Sequence, residues 1–121
     1  MIASFILASG SDIRARLLRG VGLDFAVQVP RVDEMAIRAA LVAEGAGPRD
    51  IADALAEAKA QKISQKNHGA YVLGCDQILA CDDVIYAKPE SMAQAVSQLQ
   101  TLGGKTHHLY SALVIYENGL P

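Results

Sequence analysis

The chain reads as an α/β layered fold, a mixed central sheet with flanking helices, on three observations. Short apolar runs alternate with stretches of helical periodicity along all 121 residues. Two of those runs, at 5–8 and 71–75, are continuously apolar and not alternating, as in strands covered on both faces. With 51% hydrophobic residues and no repeat or low-complexity linker, the chain has the means to build one packed core, and residues 1–121 are read as a single domain.

The first strand, 5–8, breaks at Ser9-Gly10-Ser11. The helix over 12–20 then places Ile13, Leu17 and Leu18 on one face and closes at Gly20 and Gly22. Residues 25–29 form a second strand, stopped by Pro30. A helix over 35–44 is broken by Gly45-Ala46-Gly47-Pro48, and a longer helix follows over 50–66. After Asn67-His68-Gly69, strand 71–75 is expected to end on Asp76, which aims the carboxylate into a cleft. A ribbon over 78–86 is turned by Asp82-Asp83, since Asp favours turns. Helix 91–102 ends at Gly103-Gly104. The last strand, 106–116, has a second half, Ala112-Leu113-Val114-Ile115, that reads as buried on both faces. Asn118-Gly119 after it is a hairpin signal followed by Leu120-Pro121 alone, so the expectation is a C-terminally incomplete domain with an unpaired, self-associating edge.

Composition excludes several classes. A net charge of −2 gives no basic field for a nucleic-acid polymer. The apolar N-terminal run lacks a basic flank and is too short for a signal sequence or membrane span, so the expected location is cytoplasmic. Cys75 and Cys81, without a second pair, read as buried thiols in a reducing compartment. His107-His108 lacks a metal-binding context and reads as structural.

Three constellations carry chemistry. In the strand–loop–helix at 5–20, small residues Ser9, Gly10 and Ser11 let an anion approach backbone N–H groups at a helix start. The simpler reading makes Ser11 an N-cap, but Arg14 stands where a capping box wants Glu or Gln, and a cation there opposes the helix dipole unless an anion such as Asp12 or a phosphate is close. Lys59 falls in the apolar stripe Ile51, Leu55, Ile63, so its ammonium either finds a partner or snorkels to water, whereas Lys62 and Lys66 read as plain solvated charges. Third, Asp76, Asp33-Glu34 and Lys88 supply carboxylates and a cation from separate loops. Phosphoanhydride hydrolysis uses such an inventory: a base for water, a divalent cation, and positive charge on the phosphates.

Leu7-Ala8-Ser9-Gly10-Ser11 with Arg14 and Leu17-Leu18, then Val32-Asp33-Glu34, Ala58-Lys59-Ala60, Gly74-Cys75-Asp76-Gln77, Lys88-Pro89 and Gly104-Lys105-Thr106-His107, resemble in order and spacing the Maf family of septum-formation-like nucleotide pyrophosphatases. The resemblance implies a Maf/inosine triphosphatase-like α/β fold around a deep cleft. It implies hydrolysis of nucleoside triphosphates to monophosphate and pyrophosphate with a divalent metal cation (Mg or Mn); a homodimer is the assembly expected of the unpaired edge. On matching positions Asp76 looks like the proton acceptor, Glu34 and Asp76 like metal contacts, and Ser9, Ser11, Arg14, Lys59 and Lys88 like substrate contacts.

Two departures qualify the resemblance. The first loop reads Ser11-Asp12-Ile13-Arg14 where members usually carry Ser-Pro-Arg-Arg, so one arginine is absent and an acid is present. Ile13 and Gln77 fall at positions similar to the family's specificity determinants, and their pairing resembles the branch acting on 7-methylguanosine triphosphate more than the thymidine/uridine triphosphate branch. The second departure is length, because members continue for tens of residues. A non-catalytic nucleotide-binding relative is the alternative from another class.

Overall fold

The structure, a computed structural model, describes residues 4–121. The first three residues of the N-terminal apolar run therefore lie outside the described residues. In chain order the elements are β1 (Phe5–Ala8), α1 (Asp12–Gly20), β2 (Ala26–Gln28), α2 (Glu34–Ala43), α3 (Pro48–Ser64), β3 (Tyr71–Cys81), β4 (Val84–Tyr86), α4 (Met92–Leu102) and β5 (His108–Glu117). The expected alternation of strands and helices is present.

Among the described residues the strands form one mixed sheet ordered β2-β1-β3-β4, with β5 also on β3. β1 pairs in parallel with β2 and with β3, where Ala8 stands opposite Gly74. β5 runs antiparallel to β3 from Tyr71↔Glu117 to Ala80↔His108, so it takes one whole edge of that strand. The other edge is shared: β1 pairs up to Gly74, and β4 pairs only from Leu79 onward.

Strand β3 corrects the expectation of a strand ending on Asp76 with a separate ribbon beyond it. The backbone stays extended through Asp76 to Cys81, because β5 supplies an unbroken ladder on one edge. The expected Asp82-Asp83 turn is there, both residues in the left-handed region at φ 51° and 64°, joining β3 to β4.

Helix α3 covers one face of the sheet. Its apolar stripe Ile51, Leu55, Ile63 meets Val72 and Ile78 of β3 and Ala112 and Tyr116 of β5 in two adjoining clusters. Burying side chains such as Leu55 and Ile78 contributes roughly 1.5–3 kcal/mol each. On the opposite face α1 packs Ala15 against Leu7, Leu73 and Cys75. The expected α1 face is corrected here: Ala15 and Leu18 turn to the sheet, while Ile13 and Leu17 stay 70% and 66% exposed. The second half of β5 is corrected too, because α3 covers Ala112 and Tyr116 whereas the alternate residues Leu113 and Ile115 are exposed. The Asn118-Gly119 turn forms, bridging Glu117 to Leu120. No helix among the described residues is long and apolar enough to cross a membrane.

Candidate active site

A gap in the ladder of β3 locates the site. From Cys75 to Ile78, β1 has ended and β4 has not begun, so one edge of β3 is unpaired there. Open α/β sheets bind ligands beyond the carboxyl ends of their parallel strands, and this gap lies just past the end of β1. A buried backbone carbonyl at such a gap needs another donor. The Cys75 carbonyl accepts from two cations, Arg14 Nη1 at 3.4 Å and Lys59 Nζ at 3.3 Å.

Lys59 is the hub. Its residue is 7% exposed, and its ammonium lies 2.8 Å from Glu34 Oε1, 3.0 Å from Asp76 Oδ1 and 3.3 Å from the Cys75 carbonyl. An ammonium has three donors, and here each has an acceptor. The stripe that buries α3 thus delivers a cation to a carboxylate pair, which removes the alternative of a lysine snorkelling to water.

Gly74 makes the delivery possible. A Cβ at this position would collide with the Ala56 carbonyl oxygen and lie 2.7 Å from Ala60 Cβ, so only glycine lets α3 approach β3 this closely. Isolated glycine inside a strand marks such close approach of backbones.

Glu34 opens α2, whose N-cap is Asp33: its Oδ1 accepts from the Ala36 amide at 3.0 Å. Asp33 is therefore a cap, and of the adjacent acids Glu34 alone reaches Lys59. Lys62, one turn beyond Lys59, donates to the Arg31 carbonyl and ties down the segment leading to Glu34, which corrects its reading as a plain solvated charge.

The loop after β1 serves as the cap that the simpler reading made of Ser11. Ser11 caps α1 by accepting from the Arg14 amide at 3.3 Å, and buried Ser9 accepts from the Ser11 amide at 3.0 Å. With the first turn closed on Ser11, the Arg14 side chain reaches across to β3. Beside it runs a groove of about 300 Å³ lined by Ile13, Arg14, Leu17, Cys75, Asp76, Gln77 and Ser111, among others. Ile13 and Gln77 therefore line one groove.

Asp76, 6% exposed, keeps Oδ2 free of any hydrogen-bond partner among the described residues. An orphaned carboxylate oxygen beside a second carboxylate fits a water or a divalent cation. No group of three or more acidic, His or Cys side chains gathers to hold a metal among the described residues. Two carboxylates nonetheless suit Mg²⁺, which keeps waters and takes substrate phosphate oxygens for its remaining positions. Burial pushes the Cys75 thiol up, more than the Arg14 and Lys59 charges bring it down, so it is no thiolate nucleophile near neutral pH.

Lys88 is not brought to this cluster. It is exposed in the segment between β4 and α4, and no side-chain contact ties it to Asp76 or Lys59 among the described residues. Sequence reasoning missed Ser111 and the Cys75 carbonyl. Gly74 carried a signal, a glycine within an apolar run, whereas Ser111 could be found only once its register opposite Gln77 was known.

Residues 4–120 match the family pattern described as Maf-like protein. The chain is 55% identical over 121 residues to a nucleoside triphosphate pyrophosphatase of Ruegeria pomeroyi, an alignment covering 100% of this chain and 61% of that protein. It is 51% identical over 120 residues to nucleoside triphosphate pyrophosphatase 1 of a Jannaschia species, covering 99% and 61%. To a 7-methyl-GTP pyrophosphatase of Brucella abortus it is 46% identical over 119 residues, covering 98% and 60%. The chain spans about three-fifths of the length of the curated relatives it matches.

Proposed function

Since the chain belongs to the Maf family, with which residues 4–120 align, we propose that it hydrolyses a nucleoside triphosphate between the α and β phosphorus atoms, giving nucleoside monophosphate and pyrophosphate. The carrying observation is the buried Lys59 ammonium shared by Glu34 and Asp76, with Asp76 Oδ2 left free. In this reading Oδ2 accepts the proton of the attacking water while Lys59 holds the carboxylate in place through Oδ1. Glu34 is the exchangeable partner, with a side chain 47% exposed, so a phosphate oxygen can take its place on Lys59. Arg14, which reaches the Cys75 carbonyl at the same gap, and the Ser9–Ser11 loop that leads into its helix are the groups for the remaining phosphates. Lys88 reaches them in the bound state. Glu34 and Asp76 are the residues to hold Mg²⁺ or Mn²⁺, and such an ion, when bound, neutralises phosphate charge and polarises the scissile bond.

Ile13 and Gln77 on the groove support 7-methylguanosine triphosphate as the substrate: an apolar contact and a neutral amide suit a base edge where an arginine would not. The name of the Brucella relative points the same way. The homodimer and the cytoplasmic location expected from the sequence belong to this reading, as does the absence of a nucleic-acid partner, which the net charge of −2 supports.

The test is a panel of canonical and modified nucleoside triphosphates assayed for pyrophosphate with Mg²⁺ or Mn²⁺. The expected result is metal-dependent release, with a kcat/KM for 7-methylguanosine triphosphate at least about tenfold above those for thymidine and uridine triphosphates. Equal values overturn the substrate assignment, and no release from any member overturns the activity.

A further inference from the structure

Helix α2 turns one stripe inward, Glu34, Ile37, Arg38 and Leu41, at the i, i+3, i+4, i+7 spacing of a helix face. Ile37 and Leu41 pack against the cluster that holds Leu55 of α3 and Ile78, the last residue of the gap in β3. Glu34 reaches Lys59. Arg38, the remaining member, is half-buried, its Nε is buried with no hydrogen-bond partner, and no ion pair among the described residues includes it.

We infer that Arg38 is a substrate-binding residue that holds the part of the nucleotide that leaves, the β and γ phosphates. Residues four apart on a helix have Cβ atoms about 5–6 Å apart, and a long helical side chain leans back toward the N-terminus, over the turn before its own. The guanidinium is thereby within reach of the turn that carries Glu34, and so of a phosphate that replaces Glu34 on Lys59. Charge balance leaves a place for such a group. At the gap the cations Lys59 and Arg14 are equal in number to the carboxylates Glu34 and Asp76, so a nucleoside triphosphate brings more negative charge than one divalent ion offsets. A guanidinium with no carboxylate on it meets that excess, and its fork of N–H donors suits phosphate oxygens. Packing alone gives no reason for an arginine here, because an apolar side chain would extend the Ile37–Leu41 contact without leaving a buried donor unpaired. The inference deepens the proposed function, because it rests on the phosphates lying at the Lys59 cluster.

The test measures binding and needs no turnover. Dissociation constants of pyrophosphate and of 7-methylguanosine monophosphate, both with Mg²⁺, are measured by calorimetry for the chain as it is, for Arg38→Gln and for Arg38→Lys, with a thermal melt of each. The expected result in Arg38→Gln is a loss of about tenfold or more in pyrophosphate affinity, as removal of a hydrogen bond to a charged group allows, with monophosphate affinity within about twofold of the parent. Arg38→Lys should regain part of the loss, since it restores the charge without the fork. Unchanged pyrophosphate affinity in Arg38→Gln, an equal loss for both ligands, or no binding of pyrophosphate by the parent overturns the inference. Should Arg38→Gln fail to fold, Arg38→Lys decides: pyrophosphate affinity at least about threefold below the parent with monophosphate affinity unchanged supports the inference, and parental affinity for both overturns it. A selective loss of pyrophosphate binding in a chain that hydrolyses no triphosphate supports the inference and overturns the hydrolytic reading by itself.

Discussion

Lys59 meets an acceptor with each of its donors, and two of those acceptors are carboxylates, so a change at any member alters the charge of the whole cluster. Asp76→Asn removes the carboxylate proposed as proton acceptor while keeping shape. Turnover is expected to fall by about 10²–10⁴, and the protein should stay folded because Glu34 and the Cys75 carbonyl keep Lys59 paired. Steady-state kinetics with a thermal melt on one sample checks this, and a variant retaining a tenth of parental turnover shows that another group takes the proton. Lys59→Met is a different case, because it leaves the buried Asp76 facing a hydrocarbon. Loss of one partner from a buried pair costs about 3–5 kcal/mol, so denaturant unfolding should show a drop of that order. Much of this was legible in the sequence: the stripe through Ile51, Leu55 and Ile63 placed Lys59 on the apolar face, and the six blocks similar to the Maf family singled out Glu34 and Asp76, though as metal contacts and not as the partners of Lys59. Roles carried by backbone were not, since any residue type at Cys75 offers the same carbonyl.

At the scale of elements, the contact of α3 with β3 sets the distance between Lys59 and Asp76, and Gly74 sets that contact. Gly74→Ala forces the helix outward, because the blocking atoms are the Ala56 carbonyl oxygen and Ala60 Cβ, neither on a side chain that can swing away. Overpacking of this kind costs about 1–3 kcal/mol. A calorimetric melt should show the loss, and turnover should fall with it although no polar group has changed. Full turnover in a destabilised variant would mean that the site tolerates a displaced helix. The elements themselves were readable from apolar period and punctuation. The break placed after Asp76 was an error with a physical source: the carboxylate of Asp76 closes the apolar run, yet the ladder to β5 holds the chain extended past it. For β5, alternation was hidden because Leu113 and Ile115, on the open face, are as apolar as the residues under α3.

Across the whole molecule, burial is uneven. Helix α3 buries residues along its length, from Ile51 to Ser64, whereas α4 buries Leu102 and leaves Met92, Val96 and Leu99 exposed. Segments with little buried apolar contact open at low cost. Hydrogen exchange is therefore expected to be at least about tenfold faster over 92–102 than over 51–63. Adding 7-methylguanosine monophosphate with pyrophosphate should slow exchange over 87–91 if Lys88 closes on the phosphates, and unchanged exchange there removes Lys88 from the site. The central claim, that the Lys59 cluster at the gap in β3 serves cleavage between the α and β phosphorus atoms, is tested most directly by the products. Phosphorus NMR of 7-methylguanosine triphosphate incubated with the chain and Mg²⁺ should show monophosphate and pyrophosphate growing together, and neither growing with Asp76→Asn. Diphosphate with orthophosphate, or the same products at the same rate from Asp76→Asn, would contradict it.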